Sequence, residues 1–138
     1  MRQTSRMLRI DTSGRGFYEF TQNLRDVARE ADIIQGLLTV FCRHTSASLL
    51  IQENADPTVL RDLEAVFERL APEAAAYAHD AEGADDMPAH IRAALTQTQL
   101  SIPLIGGALA LGTWQGVYLF EHRRRAHRRE IALHLIGE

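Results

Sequence analysis

The spacing of apolar and polar residues predicts four strands in the first half of the chain. Met7 to Asp11 and Gly16 to Phe20 have the short alternating pattern of two strands on either side of a polar turn. Leu37 to Arg43 is rich in apolar and β-branched residues, which indicates a buried strand. Ser46 to Gln52 predicts a further strand, which begins after the polar break at His44 and Thr45.

Three segments instead have apolar residues at helical spacing. The first predicted helix covers Asn23 to Ala31, with Thr21 as its cap. The second begins after Asp56, a good N-cap, and places Pro57 in the first turn, where a missing N–H is harmless. The third begins near Asp86, again with a proline in its first turn.

The last third of the chain returns to strand patterns. Leu100 to Ile105 and Ala108 to Leu111 flank a pair of glycines, and Val117 to Glu121 and Glu130 to Ile136 predict a hairpin around an arginine-rich loop. This order of elements lacks regular βαβ alternation. We therefore expect a single α+β domain over residues 1–138, with a largely antiparallel sheet and helices packed on one side.

Composition narrows the functional classes. The 138 residues are 46% hydrophobic and 24% charged, as in an ordinary globular domain, and the single cysteine, Cys42, excludes an intrachain disulfide. A polar N-terminus and the lack of a long apolar run predict a cytoplasmic protein without a membrane span. The net charge of −3 argues against a nucleic-acid partner.

All 15 basic side chains are arginine, because the sequence contains no lysine. This excludes Schiff-base and pyridoxal-phosphate chemistry, and also a phosphate-binding loop that depends on lysine. Recognition of an anionic substrate must therefore use arginine, backbone amides or a metal ion.

The segment from Tyr77 to His90 carries the strongest chemical signal. His79 and His90 enclose four carboxylates, among them Glu82 and Asp85, directly before a predicted helix. Imidazole and carboxylate are ligands of zinc and related ions and are also the usual acid/base groups. The spacing alone is compatible with a functional site and with a polar surface loop.

His44 lies where two predicted strands meet, a position that suits either a ligand or base in a cleft, or a structural histidine with satisfied ring nitrogens. Ser46 as a hydrolase nucleophile is disfavoured, because the Gly-x-Ser-x-Gly elbow is absent. Glu53 follows the strand and either faces the same cleft or is solvated.

The final candidates lie near the C-terminus. Trp114 is expected to pack in the core or an interface, and Gln115 is a candidate polar contact in a site. The run Arg123 to Arg125 is interpreted as a solvated tip. Arg128 or Arg129, at the start of the last strand, is better placed to bind a phosphate with both guanidinium arms.

Taken together, five ordered motifs resemble the YjbQ-like family, also described as the secondary thiamine-phosphate synthase family. The motifs are His44-Thr45-Ser46-Ala47, Glu53-Asn54-Ala55-Asp56, His79 to His90, Leu111-Gly112-Thr113-Trp114-Gln115-Gly116 and Glu121-His122. The resemblance extends from about residue 15 to the C-terminus. It implies a compact α+β fold, a homotrimer with a polar site near a subunit interface, and a weak thiamine-phosphate synthase activity.

That activity is a transferase reaction, which joins a pyrimidine diphosphate to a thiazole phosphate and releases diphosphate. A cation must stabilise the departing group. We hypothesise that His44, His79 and His90 converge on one divalent metal ion. Histidine ligands favour zinc, although enzymes that release diphosphate usually use magnesium. The remaining roles are acid/base chemistry for Glu82, Asp85 and Glu53, and substrate binding for Thr45, Ser46, Trp114, Gln115 and Arg129.

Two further functions are compatible with the same residues. One is a non-catalytic trimeric module that binds a phosphorylated metabolite or another protein. The other is a metal-dependent hydrolase of phosphoesters, because histidine ligands are more typical of hydrolases than of diphosphate-releasing transferases.

Overall fold

A computed structural model describes residues 1–138, which form eight strands and three helices. The elements, in chain order, are β1 (Arg2–Thr12), β2 (Gly16–Glu19), α1 (Thr21–Ala31), β3 (Gly36–Cys42), β4 (Ala47–Glu53), α2 (Pro57–Leu70), α3 (Asp86–Leu95), β5 (Gln99–Ile105), β6 (Ala108–Leu109), β7 (Gln115–Glu121) and β8 (His127–Gly137). No helix is long and apolar enough to cross a membrane.

The strands form two antiparallel sheets, which confirms the predicted α+β class. One sheet has the order β1-β8-β3-β5-β6, and the other has the order β2-β7-β4. The predicted hairpin of β7 with β8 is wrong, because β7 pairs with β2 and β4, whereas β8 pairs with β1 and β3. β7 is buried at nearly every position and β8 at alternate positions. Both occupy inner positions of different sheets, so each pairs with strands distant in sequence.

A single apolar core joins the two sheets and the first helix. Its 17 buried residues include Leu24 of α1, Leu38 of β3, Leu49 of β4, Leu119 of β7 and Leu135 of β8. Burial of these side chains from every layer is the main contribution to the stability of the fold.

The helix starts follow the predicted positions to within two residues. Asp56 caps α2 as expected, since its carboxylate accepts the N–H of Thr58 at 2.9 Å. Thr21 is not the cap of α1 but its first residue, and its Oγ1 accepts the N–H of Val117 at 2.8 Å. Helix α3 begins at Asp86, and its N-cap residue, Asp85, makes no side-chain cap hydrogen bond, because its carboxylate accepts from Arg123 and from the N–H of Arg124.

Replacing Asp56 by alanine is expected to lower the free energy of unfolding by about 1 kcal/mol, since the first turn of α2 loses its acceptor. Chemical denaturation measures the change. Asp62→Ala, which removes a carboxylate from an exposed position of the same helix, is the matched control. Equal effects of the two changes would contradict a capping role.

Candidate functional site

The strongest candidate site combines His79, Asp86 and His90. Asp86 and His90 lie four residues apart on α3, so they share one face of the helix, and His79 comes from the preceding loop. His79 Nε2 lies 2.5 Å from Asp86 Oδ2, and His90 Nε2 lies 3.3 Å from the same oxygen. One potential ligand atom from each residue lies within 4.8 Å of the others.

Asp86 is the centre of this group and is only 4% exposed. Its second oxygen, Oδ1, accepts a hydrogen bond from Arg123 Nη1 at 2.5 Å. Arg123 in turn donates from Nε to Asp85 Oδ2 at 3.0 Å, and the N–H of Arg124 donates to the same oxygen at 2.9 Å. Arg123 is therefore a structural member of the site, which corrects its interpretation as part of a solvated tip.

These contacts set the charge state of the group. The hydrogen bond to Asp86 raises the pKa of His79. Burial alone would raise the pKa of Asp86, but the hydrogen bond from His79 and the charges of Arg123 and His90 outweigh it and lower that pKa. The chain thus holds a charged carboxylate against two imidazoles, and metal binding would displace the proton from His79.

The two predicted acid/base groups of this loop differ in their freedom. Glu82 is exposed, and its Oε2 lies 3.1 Å from His79 Nε2. Asp85 is held by Arg123 and by the backbone of Arg124, which together lower its pKa against the opposing effect of burial. Glu82 is therefore available for proton transfer, whereas Asp85 holds Arg123 in place.

An open cavity of about 500 Å³ adjoins this group and contains the arginines of the loop before β8. Its lining includes Glu82, Asp85 and the run Arg123 to Arg125. Arg124 forms an ion pair with Glu73, and Arg125 is exposed with no partner for its side chain. Cationic groups for an anionic substrate therefore lie next to Glu82 and Asp85, while the two histidines are not part of this cavity lining.

His44 does not join His79 and His90, so the predicted convergence of three histidines is wrong within one chain. Its Nε2 accepts the N–H of Glu130 at 2.8 Å, and burial together with the charge of Arg129 lowers the pKa of His44. It lines a separate shallow cavity of about 400 Å³ together with Thr45. The prediction rested on the polar break between β3 and β4. The chain passes there from the larger sheet to the smaller one, and His44 lies apart from His79 and His90.

Arg129 is also placed differently from its predicted role. It is 4% exposed, and its Nε donates to Glu121 Oε1 at 2.7 Å. Its Nη2 donates to Ser46 Oγ at 3.1 Å and also pairs with Glu121. Two of its nitrogens are thus already used by buried protein groups, so it is not the free phosphate-binding fork that the sequence indicated. Ser46 contacts this arginine and no imidazole.

The remaining candidates have no hydrogen bond to the histidine group. Gln115 accepts the N–H of Gly112 at 2.7 Å and so supports its own turn. Glu53 lies opposite Gln115 in the β4–β7 ladder, with its side chain half-buried. Trp114 is 61% exposed, so it does not pack in the core of the single chain.

Sequence reasoning missed the two residues that organise the site. Asp86 was assigned to the helix start, although its spacing of four residues from His90 was a signal that both share one helix face. Arg123 gave no such signal, because its partners Asp85 and Asp86 lie 38 and 37 residues away.

Comparison with known proteins identifies the family. The model of the family described as UPF0047 protein YjbQ-like matches residues 6–138. A UPF0047 protein of Synechocystis, sll1880, is 53% identical in an alignment of 138 positions that covers 99% of this chain and 94% of that protein. YjbQ of Salmonella typhimurium is 43% identical over 134 residues, 96% of this chain and 97% of that protein.

Solved structures agree with this assignment. The crystal structure of an uncharacterized conserved protein of the YjbQ/UPF0047 family from Clostridium acetobutylicum has a TM-score of 0.83 at 32% identity, covering 96% of this chain and 99% of that one. The conserved hypothetical protein TT1486 of Thermus thermophilus also has a TM-score of 0.83 at 32% identity, with 94% and 98% covered. The chain belongs to the YjbQ-like UPF0047 family.

Proposed function

We propose that the protein is a metal-dependent enzyme that acts on a phosphorylated substrate, with His79, Asp86 and His90 as the metal ligands. The observation that carries the proposal is the spacing of their three ligand atoms, all within 4.8 Å of one another. Two imidazoles and one carboxylate suit zinc or a related transition ion, with metal–ligand distances of about 2 Å.

The surroundings of the three ligands support the same assignment. Arg123 donates a hydrogen bond to Oδ1 of Asp86, the oxygen that does not face the histidines, and so holds this buried carboxylate in position. Metal-ligating carboxylates commonly have such a hydrogen-bond partner. Three protein ligands leave positions free for water or substrate, which is typical of catalytic rather than structural zinc. His44 is not part of this ligand set.

The specific reaction we propose is the transferase reaction implied by the family resemblance, formation of thiamine phosphate with release of diphosphate. A bound metal would supply a Lewis acid for the charge that develops on the departing diphosphate. Arg124 and Arg125 in the adjacent cavity would bind phosphate oxygens and orient the substrate. Glu82, 3.1 Å from His79, would hold or move the proton at the reacting group.

Glu82 also favours a second function, hydrolysis of phosphoesters. An exposed carboxylate beside a ligating histidine can accept a proton from a water molecule, and histidine-rich ligand sets are typical of hydrolases. Both reactions use the same residues and differ in the acceptor, a thiazole phosphate or water. Assays with and without the thiazole phosphate distinguish them.

Metal content tests the ligand assignment directly. Untagged protein is expected to bind about one metal ion per chain, and His79→Ala and His90→Ala are expected to lose it. His44→Ala is the matched control and should keep the metal, because His44 lies outside the group. Arg123→Met should weaken metal affinity by about 10–100-fold. Elemental analysis and competition with a chelator measure both quantities.

A wild-type metal content that is no higher than that of the two variants would overturn the ligand assignment. Turnover is tested on the metal-loaded protein with a pyrimidine diphosphate and a thiazole phosphate, and with simple phosphoesters. Wild type should turn over one of these, and Glu82→Gln should lower turnover while the metal stays bound. Loss of assembly in the histidine variants without turnover in wild type would instead favour the non-catalytic binding module.

We also propose that the chain forms a homotrimer through the outer face of the larger sheet. Met7, Ala132 and Phe41 lie in one row across β1, β8 and β3, and Met7 and Phe41 are 41% and 45% exposed. Leu37 and Ile136 form a second exposed apolar pair on the same sheet. A polar row of Ser5, His134 and Thr39 lies between these two rows. Exposed apolar side chains concentrated on one sheet face are typical of a subunit interface.

Light scattering tests the assembly. Wild type should have about three times the chain mass of 15.5 kDa, and Phe41→Glu should shift the protein towards that single-chain mass, because a charge would be buried in the interface. Val66→Glu, at an exposed position of α2, is the control and should leave the mass unchanged. A wild-type mass near 15.5 kDa would contradict the trimer.

A further inference from the structure

A further cavity, lined by none of the proposed metal ligands, contains a buried arginine, Arg92, whose Nε and Nη2 lack well-formed hydrogen bonds. It has a volume of about 290 Å³, and its lining residues are Arg15, Gly16, Glu64, Ala65, Glu68, Arg92 and Phe120. That volume is close to the lower limit for pockets that bind small metabolites. None of these residues belongs to the metal ligands or to the arginine loop.

Arg92 is the unusual residue of this cavity. It is 3% exposed, and its buried Nε and Nη2 have no well-formed hydrogen bond. Its Nε and Nη2 are sealed from solvent, and its only charged neighbour within ion-pair distance is Glu68 Oε1, 3.4 Å from Nη2. A buried guanidinium with two nitrogens that lack hydrogen bonds is costly, and burial lowers the pKa of Arg92 accordingly.

Arg15 supplies a second cation that is already held in position. Its Nη1 donates to Glu73 Oε1 at 3.0 Å, so it stays oriented whether or not Glu68 is present. Its Nη2 pairs with the same oxygen of Glu68 that approaches Arg92. The two guanidinium groups thus face one shared anionic position.

Glu68 fills that position from the surface. Its side chain is 51% exposed on α2, so it can turn towards solvent without unfolding the helix. The buried ring of Phe120 forms an apolar wall of the cavity, which strengthens electrostatic attraction inside it. Glu68 therefore acts as an internal substitute for an anionic ligand.

We propose that this cavity binds the phosphate or carboxylate group of a small metabolite between Arg15 and Arg92, and that the ligand displaces the carboxylate of Glu68. Arg92 then gains the charge-assisted hydrogen bonds that it lacks in the free protein. Glu64, which lies on α2 with Glu68, also lines the cavity and accepts a hydrogen bond from a hydroxyl or amino group of the ligand. A compact anion with a hydrogen-bond donor fits this lining, and a polymer does not.

Nuclear magnetic resonance of metal-free protein tests the site independently of the proposed reaction. The Nε–H signal of Arg92, assigned by its loss in Arg92→Met, reports on binding because this group is sealed from solvent. Titration with inorganic phosphate and, separately, with acetate should shift this signal to saturation for at least one anion. The tighter of the two identifies the ligand as a phosphate or a carboxylate.

Two variants with opposite effects make the test decisive. Glu68→Ala should tighten binding of the anion about tenfold, because the competing carboxylate is gone, and Arg92→Met should weaken it by about tenfold or more. Arg69→Met, at an exposed position next to Glu68, is the control. If neither anion shifts the Arg92 signal, or if Glu68→Ala does not tighten binding, the proposal fails, even where Arg92→Met does not fold.

Discussion

Replacing Glu121 by alanine is expected to destabilise the protein by about 3–5 kcal/mol, because it leaves the charge of Arg129 buried without its partner. Glu121 is 0% exposed and Arg129 is 4% exposed. Besides its two contacts with Arg129, the carboxylate accepts hydrogen bonds from Thr12 Oγ1 at 2.7 Å and from the N–H of His122 at 3.0 Å. Thr12 belongs to β1 and Glu121 to β7, so this carboxylate links the two sheets.

Chemical denaturation of the variant and of two controls measures this effect. Glu130→Ala removes a half-exposed carboxylate, whose nearest cation is Arg43 at 3.5 Å, and should cost about 1 kcal/mol or less. A double variant, Glu121→Leu with Arg129→Met, should recover much of the stability that Glu121→Leu alone loses, because no uncompensated charge remains. Equal losses of unfolding free energy for Glu121→Ala and Glu130→Ala would show that the buried pair of Glu121 and Arg129 stabilises the fold no more than an exposed carboxylate does.

The elements of the fold were predictable because their signals are local. Asp56 and Pro57 mark the start of α2 within a few residues of the helix, and the apolar run of β3 marks a buried strand. The pairing of strands is not local. Whether β7 pairs with β8 or with β2 and β4 depends on which buried faces meet, and neighbouring sequence favours the hairpin that does not form.

The candidate site divides in the same way. His79 and His90 were found from their residue types within one short segment, and the structure brings them together. His44 and Arg129 are predicted from their type and from their positions at strand ends, but contacts with Glu130 and Glu121 across the fold determine their places. The sequence shows which side chains could bind a metal or transfer a proton. Which hydrogen-bond partners those side chains have in the folded chain depends on which strands lie next to each other.

The pH dependence of stability is expected to depend on His122, which lies beside the pair of Glu121 and Arg129. This imidazole is 1% exposed, and its Nε2 lies 2.8 Å from Ser48 Oγ. Burial, with smaller effects from the charges of Arg92, Arg129 and Arg15, lowers the pKa of His122 from 6.5 to about 3. The folded protein therefore keeps His122 neutral at acidities where the unfolded chain protonates it.

The sign of the effect follows from proton binding. Between pH 6.5 and about 3 the unfolded state binds one more proton at His122 than the folded state, so stability falls as the pH falls through this window. The limiting slope is about 1.4 kcal/mol per pH unit. Above pH 6.5 both states carry a neutral ring, and His122 contributes no dependence.

Denaturation of wild type and His122→Gln between pH 7 and pH 4.5 isolates this contribution, because glutamine does not titrate and still reaches Ser48. Wild type should lose about 2 kcal/mol more than the variant across that range, whatever their stabilities at neutral pH. Parallel pH profiles for wild type and His122→Gln would mean that His122 accepts a proton in the folded state, which its sealed position between Phe120 and Ser48 argues against.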